Sequence, residues 1–381
     1  MVKRSNFANI QASHVTPCPN YEQSRVRTGY EVIVAHRASD KYAVAAKEDG
    51  MITDINEKLK MFTVKYRSGK SEAISYASYE GDVGGIYIKQ DLTLNIKLGE
   101  RVKTGDILVY NPGFFSPAYN SKQVNWNHGI NARVALITND HTIEDSSTIV
   151  PSFAEKLTIS PTELRSVTVT CNTIIKSIVK VGDKVGVEDT LCTLEDASIA
   201  DLVAGLNTDD IDLIAELNMK HPKAKHHGVI SKIDVFYSCP IESMTSSLAG
   251  LVTSIRQEKV KRHNYAKQSG QGHDYPIPSE VPAGTKFKGV EFTDDTILIM
   301  FYINATYEMD GGSKLVIGNQ LKSVVDGVLS YIPTTEDGKP IDVLFGPGQV
   351  AARIVMSPII NGRIAASLID AEEQIVDMYF N

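Results

Sequence analysis

Lys314 and Lys322 lie eight residues apart in Gly311-Gly-Ser-Lys-Leu-Val-Ile-Gly-Asn-Gln-Leu-Lys322, and Asp337-Gly-Lys-Pro-Ile-Asp-Val-Leu-Phe-Gly-Pro347 and Arg353 follow. Two ammonium groups and a guanidinium brought together are suited to phosphate. Lysine supplies a point charge, and arginine a flat fork of donors. A second constellation is acidic, Glu144 and Asp145 in Ile143-Glu-Asp-Ser146. Magnesium keeps several of its waters, so neighbouring carboxylates can serve it from the outer shell. Each feature has an ordinary alternative. Lysines are mostly solvated, an arginine stem also covers apolar surface, and a Glu-Asp pair at a strand edge is usually only hydrated.

Two further groups are weighed the same way. His226 and His227 in His221-Pro-Lys-Ala-Lys-His-His-Gly228 lack a Cys or acid at ligand spacing, so a solvated basic turn is favoured over a metal site. Thr208-Asp-Asp-Ile-Asp212 reads as the opening of a helix, where acids suit the N-terminal dipole.

Short strands must position these groups. Tyr30–His36, Gly85–Gln90, Ala132–Thr138, Gly228–Tyr237 and Thr296–Tyr302 alternate or are rich in β-branched residues, which predicts strands. Two helices are expected. One runs from Ile241 to His263 with Ile241, Met244, Leu248, Leu251, Val252 and Ile255 on one face. The other follows Ser357-Pro358, a good helix start, with Ile364, Leu368, Ile369 and Val376 as its apolar positions. The segment Ser269–Gly284 reads as a linker. One repeat is visible: Gly99-Glu-Arg-Val102-Lys-Thr-Gly-Asp106-Ile-Leu108 matches Gly182-Asp-Lys-Val185-Gly-Val-Glu-Asp189-Thr-Leu191. It predicts a turn glycine, a buried valine, a second turn held by aspartate, and a strand.

The 381 residues suffice for two or three domains. No apolar run approaches the roughly 20 residues of a membrane span, and the first residues do not read as a secretory signal. The four cysteines, Cys18, Cys171, Cys192 and Cys239, are widely separated, against zinc or a disulfide scaffold and in keeping with a reducing compartment. The net charge is −7. A free-standing duplex-DNA binder usually carries a basic excess, so any nucleic-acid contact here must use a few placed cations.

The lysine segment resembles the core of the β subunit of multisubunit DNA-directed RNA polymerases. That family has Gly-Asp-Lys, seven residues, Lys, then Asp-Gly-x-Pro-Val-Asp, Asn-Pro and an arginine at the spacing of Pro347 to Arg353. Ser313 stands where the family has Asp, and Gly318-Asn-Gln320 where it has Arg-His-Gly. Other segments follow in the family's order. Asn9-Ile-Gln11 with Val15-Thr-Pro17 resembles its Asn-Met-Gln-Arg-Gln-Ala-Val-Pro. Leu98–Leu108 resembles Leu-Gly-Glu-x-Val-x-x-Gly-Asp-Val-Leu, and Gly129–Ala135 resembles Gly-Gln-Asn-x-x-Val-Ala. Ile143–Ser146 resembles Phe-Glu-Asp-Ala/Ser.

The resemblance implies the C-terminal half of a split β subunit, as large (jumbo) bacteriophages encode. The implied fold is mainly β with some α: a double-psi β-barrel core, an inserted flap domain and a sandwich-barrel-hybrid-like region. Residues 1–84 would be a fork-proximal, hybrid-like segment. Residues 85–165 and 286–356 would join as the barrel, 166–285 would be the flap, and 357–381 a C-terminal helix. Lys314, Lys322 and Arg353 would be catalytic, holding the RNA 3′ end and the incoming triphosphate. Lys3, Arg4, Asn9 and Gln11 would bind substrate. Glu144 and Asp145 would be outer-shell to the nucleotide-borne Mg2+, which a partner β′ chain holds with its Asp-x-Asp-x-Asp loop. Arg256 to Lys267, with Tyr265, would fall in the flap as a contact surface for exiting RNA or a promoter-recognition factor. Partners would be the β N-terminal half, the β′ halves, that factor, template DNA, RNA product and NTPs, with no membrane. The setting would be the cytoplasm of the bacterial host, or the virion if the enzyme is packaged.

Two other classes are open. One is a structural or assembly protein derived from a polymerase. The other is a carrier module, because Val179–Glu195 looks like the half-motif of biotinyl and lipoyl domains. Those need an exposed lysine just afterwards, and Asp196-Ala-Ser-Ile-Ala200 has none.

Overall fold

The computed structural model describes residue 18 and residues 21–83, 86–127, 129–198, 219–271, 274–275, 280–318, 321–353 and 356–380. The chain is mainly β, with a few helices. No helix is long and apolar enough to cross a membrane among the described residues.

Thr296–Asn304 explains much of the packing. Its run Thr-Ile-Leu-Ile-Met-Phe-Tyr-Ile is buried at every position. Alternation sends successive side chains to opposite faces. Ile297, Ile299, Phe301 and Ile303 enter one core, while Leu298, Met300 and Tyr302 enter another. The strand is therefore central, between Thr162–Thr170 and Gly228–Tyr237, with Lys184–Val185 at the edge. The helix Ser246–Gln268 covers the first core with Leu248 and Val252. The other face is closed by lysines. Lys232 and Lys259 pair with Asp234 at 2.6 and 3.5 Å, and Lys288 donates to the Tyr302 hydroxyl at 3.2 Å. Burial alone pushes the Asp234 carboxyl up, but the three lysines outweigh it and hold it below the usual carboxylate range. Its stabilising contribution is therefore complete above the unfolded value of about 4 and is lost as pH falls through the folded one.

A second region comprises the sheet of Ser71–Ser75, Met61–Tyr66, Gly50–Asn56 and Arg101–Val102 beside a three-stranded sheet. Ile52, Phe62, Val64, Val102 and Leu108 form its core. The repeat is realised here and around Lys184–Val185 with the same bonds. Gly99 and Gly182 have φ of 76° and 99°. Their N–H groups reach Ile52 and Ile230 carbonyls at 2.9 and 2.8 Å. The Asp106 and Asp189 carboxylates each accept an N–H three residues back, at 2.8 and 2.7 Å. The similarity extends to Ala46-Lys-Glu-Asp-Gly-Met-Ile52 and Ala224-Lys-His-His-Gly-Val-Ile230. Ala46 and Ala224 donate to the carbonyls of Asp106 and Asp189. In the first unit this piece precedes the Gly-x-x-Val segment; in the second it follows.

Two expectations change. Tyr30–Val34 is helical, not a strand. Glu31 accepts N–H bonds from Thr28 and Gly29 at 3.0 and 2.8 Å, a back-reaching cap that favours the helix. The helix expected from Ile241 is broken. Ile241–Ser243 is a 3-10 turn, and the helix starts at Ser246 after Thr245 donates to the Thr173 carbonyl. The helix continues past His263 to Gln268, and its far end turns inward at Tyr265 and Ala266. Tyr265 donates to Asp54 at 2.7 Å and accepts from Thr63 at 3.1 Å, while Ala266 is buried against Met61 and Ala73. The Tyr265 ring is thereby used within the chain. Tyr265→Phe should cost about 1 kcal/mol, the net value of a hydrogen bond, read from urea denaturation.

All four cysteines are free. Burial pushes the thiols of Cys18 and Cys192 up to about 12 and that of Cys239 upward. Thiolate is the reactive form. Alkylation of the native protein should therefore label half-buried Cys171 first, and peptide mass spectrometry of a time course checks the order.

Candidate functional site

Both lysines lie on one antiparallel hairpin, Lys314–Ile317 and Leu321–Val328. Lys314 faces Val324, and Val316 faces Lys322. Strand alternation then puts Lys314, Val316, Lys322, Val324 and Asp326 on one side. Burial agrees: Leu321, Ser323 and Val325 are buried, Val324 and Asp326 exposed. The eight-residue spacing thus becomes a diagonal pair across neighbouring strands, about 7–8 Å between backbone positions. Gly318 turns the chain with φ 54°.

The hairpin belongs to a five-stranded mixed sheet with order Val134–Leu136, Val343–Phe345, Ser146–Ile149, Leu321–Val328, Lys314–Ile317. Strands from before and after the long middle region interleave in it. Ser146–Ile149 runs parallel to Leu321–Val328 with Ser146 opposite Val324. This places the acidic pair beside the lysine hairpin. The Asp145 carbonyl accepts from Val324 N–H at 2.9 Å and from the Ser323 hydroxyl at 3.0 Å.

Arg353 completes the convergence. It ends the helix Pro347–Arg353, which is fixed by Gln349 donating to the Ser146 carbonyl at 3.0 Å. The guanidinium donates to the Asp145 carboxylate and, at 3.3 Å, to the Lys322 carbonyl. Lys322, Asp145 and Arg353 are therefore one connected group. Glu144, next to Asp145, is exposed and has φ 54°. A non-glycine residue there costs about 1 kcal/mol, and such strain collects at functional sites.

Magnesium needs a full oxygen shell. Two carboxylates fall short of it, and Asp145 already balances Arg353. The pair therefore fits hydrogen bonding to a metal's waters, not direct ligation. Among the described residues no group of three His, Cys, Asp or Glu side chains is placed to hold a metal. His226 sits 3.9 Å from Glu163, a loose pair on the basic turn.

Lys3, Arg4, Asn9, Gln11 and Thr208–Asp212 lie outside the described residues. Several contributors had no sequence signal: Gln349, Ser323 and the pair His141–Asp326, whose Nδ1 and Oδ2 are 2.7 Å apart.

The hairpin thus offers two ammonium groups on one face, and beside it a guanidinium anchored by a carboxylate, with a neighbouring glutamate. It can hold an extended polyanion and reach the waters of a cation bound to it. No protein-family model matches the chain and none of the curated proteins is significantly similar to it, so its role is argued from this face.

Proposed function

We propose that the chain is the C-terminal half of a split β subunit of a multisubunit DNA-directed RNA polymerase from a large bacteriophage. The observation that carries the reading is that three segments meet at the hairpin: Lys314 and Lys322 share one of its faces, and the Arg353–Asp145 pair is bonded to the Lys322 backbone beside them. The order of resembling motifs along the chain supports it.

In this reading the mixed sheet belongs to a double-psi β-barrel, and the inserted flap, expected over 166–285, also takes in the central strand Thr296–Asn304. Lys314 and Lys322 hold phosphate oxygens at the RNA 3′ end or on the initiating nucleotide. Pre-placed cations stabilise charge that develops in transfer, and loss of one such donor costs about 10²–10³ in rate. Arg353 meets the incoming triphosphate, its fork pre-oriented by Asp145 and the Lys322 carbonyl. Glu144 and Asp145 accept hydrogen bonds from the waters of the nucleotide-borne Mg2+. When bound, Mg2+ neutralises phosphate charge and activates the attacking oxygen. Its direct ligands come from a β′ partner, so the chain is inactive alone and works with the β N-terminal half, β′ halves and a promoter-recognition factor in the host cytoplasm or virion.

The test is affinity purification of the tagged chain from the infected host, with mass spectrometry of what accompanies it. Recovery of a β N-terminal half and a chain bearing Asp-x-Asp-x-Asp supports the reading. Recovery alone, or with capsid proteins only, favours a structural role.

A further inference from the structure

His141 lies in the loop that leads to Glu144 and Asp145. Its Nδ1–H donates to Asp326 at 2.7 Å. Asp326 shares a strand face with Lys322 and Val324, and Lys314, opposite Val324, is diagonal to both Lys322 and Asp326. The imidazole is thus anchored at one end of a row, with Lys314 in the middle and Lys322 at the other end.

The loop is held tightly. His141 N–H donates to the Asn139 side chain at 3.0 Å, and Asn139 N–H donates to Thr142 Oγ1 at 3.0 Å. The His141 carbonyl accepts from Ser146 and Thr148 hydroxyls at 3.1 and 3.4 Å. The bond to Asp326 fixes the tautomer: Nδ1 carries its hydrogen, so Nε2 is the atom that gains or loses a proton. Among the described residues nothing bonds to Nε2, and the side chain is 59% exposed. A surface His–Asp pair adds little stability, so such ordering has a weak structural rationale.

We infer that His141 is a third, proton-gated phosphate contact on the lysine face. Protonated Nε2–H donates to a polyphosphate oxygen, and Asp326 is the positioning residue that holds the ring. The inference rests on the phosphate-handling role proposed for Lys314 and Lys322. The charged groups on the His141 loop itself are Asp140, Glu144 and Asp145; those on the hairpin and helix that meet this loop are Lys314, Lys322, Asp326 and Arg353. Histidine is the only residue type among these that normally changes charge between about pH 5 and 8.

The experiment uses the full chain and tripolyphosphate, whose oxygens stand for a nucleotide's triphosphate. Affinity is measured by NMR titration at about pH 6 and about pH 8, for the native chain, H141Q, D326N and the double variant K314A/K322A. The anion's own titration is common to all four. The ratio of affinities at low and high pH should be about fivefold larger for the native chain than for H141Q, a charge-assisted hydrogen bond discounted for exposure. D326N should fall between. Equal ratios in native and H141Q, with binding lost in K314A/K322A, would overturn the role of His141 and leave the lysine face standing. No binding by the native chain, or binding unchanged in K314A/K322A, would overturn both.

Discussion

Replacing Lys314 and Lys322 together by alanine is expected to abolish RNA synthesis by the assembled complex without preventing its assembly. Lys314 is exposed and Lys322 half-buried on the open face of the hairpin. Substitutions at such positions usually stay within about 0.5 kcal/mol. The bond from Arg353 goes to the Lys322 backbone carbonyl, so it survives the loss of the side chain. What disappears is two cations where phosphate charge must be met. Each single variant should lose about 10²–10³ in rate, and the pair more. Lysine-to-arginine changes should rescue poorly, because a planar fork does not replace a point charge on a short diagonal. Primer extension by the co-purified complex, with subunit recovery as the folding control, measures both halves of the expectation. Normal elongation by the double variant would remove the lysines from the site.

That site was only partly legible in the sequence. The lysine spacing by itself reads as two solvated residues; only the resemblance of the surrounding segment implied phosphate chemistry, and neither said that the residues share a face. The hairpin register settles that, because seven intervening residues divide into two strand segments and a turn. The Asp145–Arg353 pair joins residues 208 positions apart, and no local pattern encodes it. Buried strands were the clearest signal: Gly228–Tyr237 forms as expected, and Thr296–Tyr302 extends to Asn304. Tyr30–His36 misled because its alternating apolar residues also suit one helical turn. There the Glu31 cap decides, and Val34, Ala35 and Ala38 reach the neighbouring core. On the long helix the apolar face was legible but the start was not. Thr245 bonds to the carbonyls of Cys171 and Thr173, which are near it only in the folded chain. The repeat was half seen. Its Gly-x-x-Val pieces align in register, whereas the Ala-Lys-x-x-Gly-x-Ile pieces sit on opposite sides of them in the two units.

The permuted piece carries the largest expected effect on stability, at Gly228. This glycine opens the strand Gly228–Tyr237 and pairs with Val185. A Cβ there would lie 2.4 Å from the Asn304 carbonyl oxygen, and 2.8 Å from both its carbon and Ile303 Cγ2. The obstructing atoms are mainly backbone of the strand whose two faces line two cores, so they cannot swing aside as a side-chain tip would. Gly228→Ala should therefore destabilise by about 3 kcal/mol, the upper range of overpacking. Gly50, its counterpart in the first unit, meets Lys65 O at 2.6 Å but other atoms only at 3.2 Å. Gly50→Ala should cost less, because the partner strand Met61–Tyr66 has fewer buried neighbours to displace. Gly250, inside the helix Ser246–Gln268, has nothing within 4 Å of its ideal Cβ. Gly250→Ala should stabilise by about 0.5–1 kcal/mol through helix propensity and a less flexible unfolded chain. Urea denaturation of the three variants tests close approach against loss of glycine flexibility. If all three shift together, backbone freedom governs these positions; a fall at 228, a smaller fall at 50 and a gain at 250 mean that contact across the repeat does.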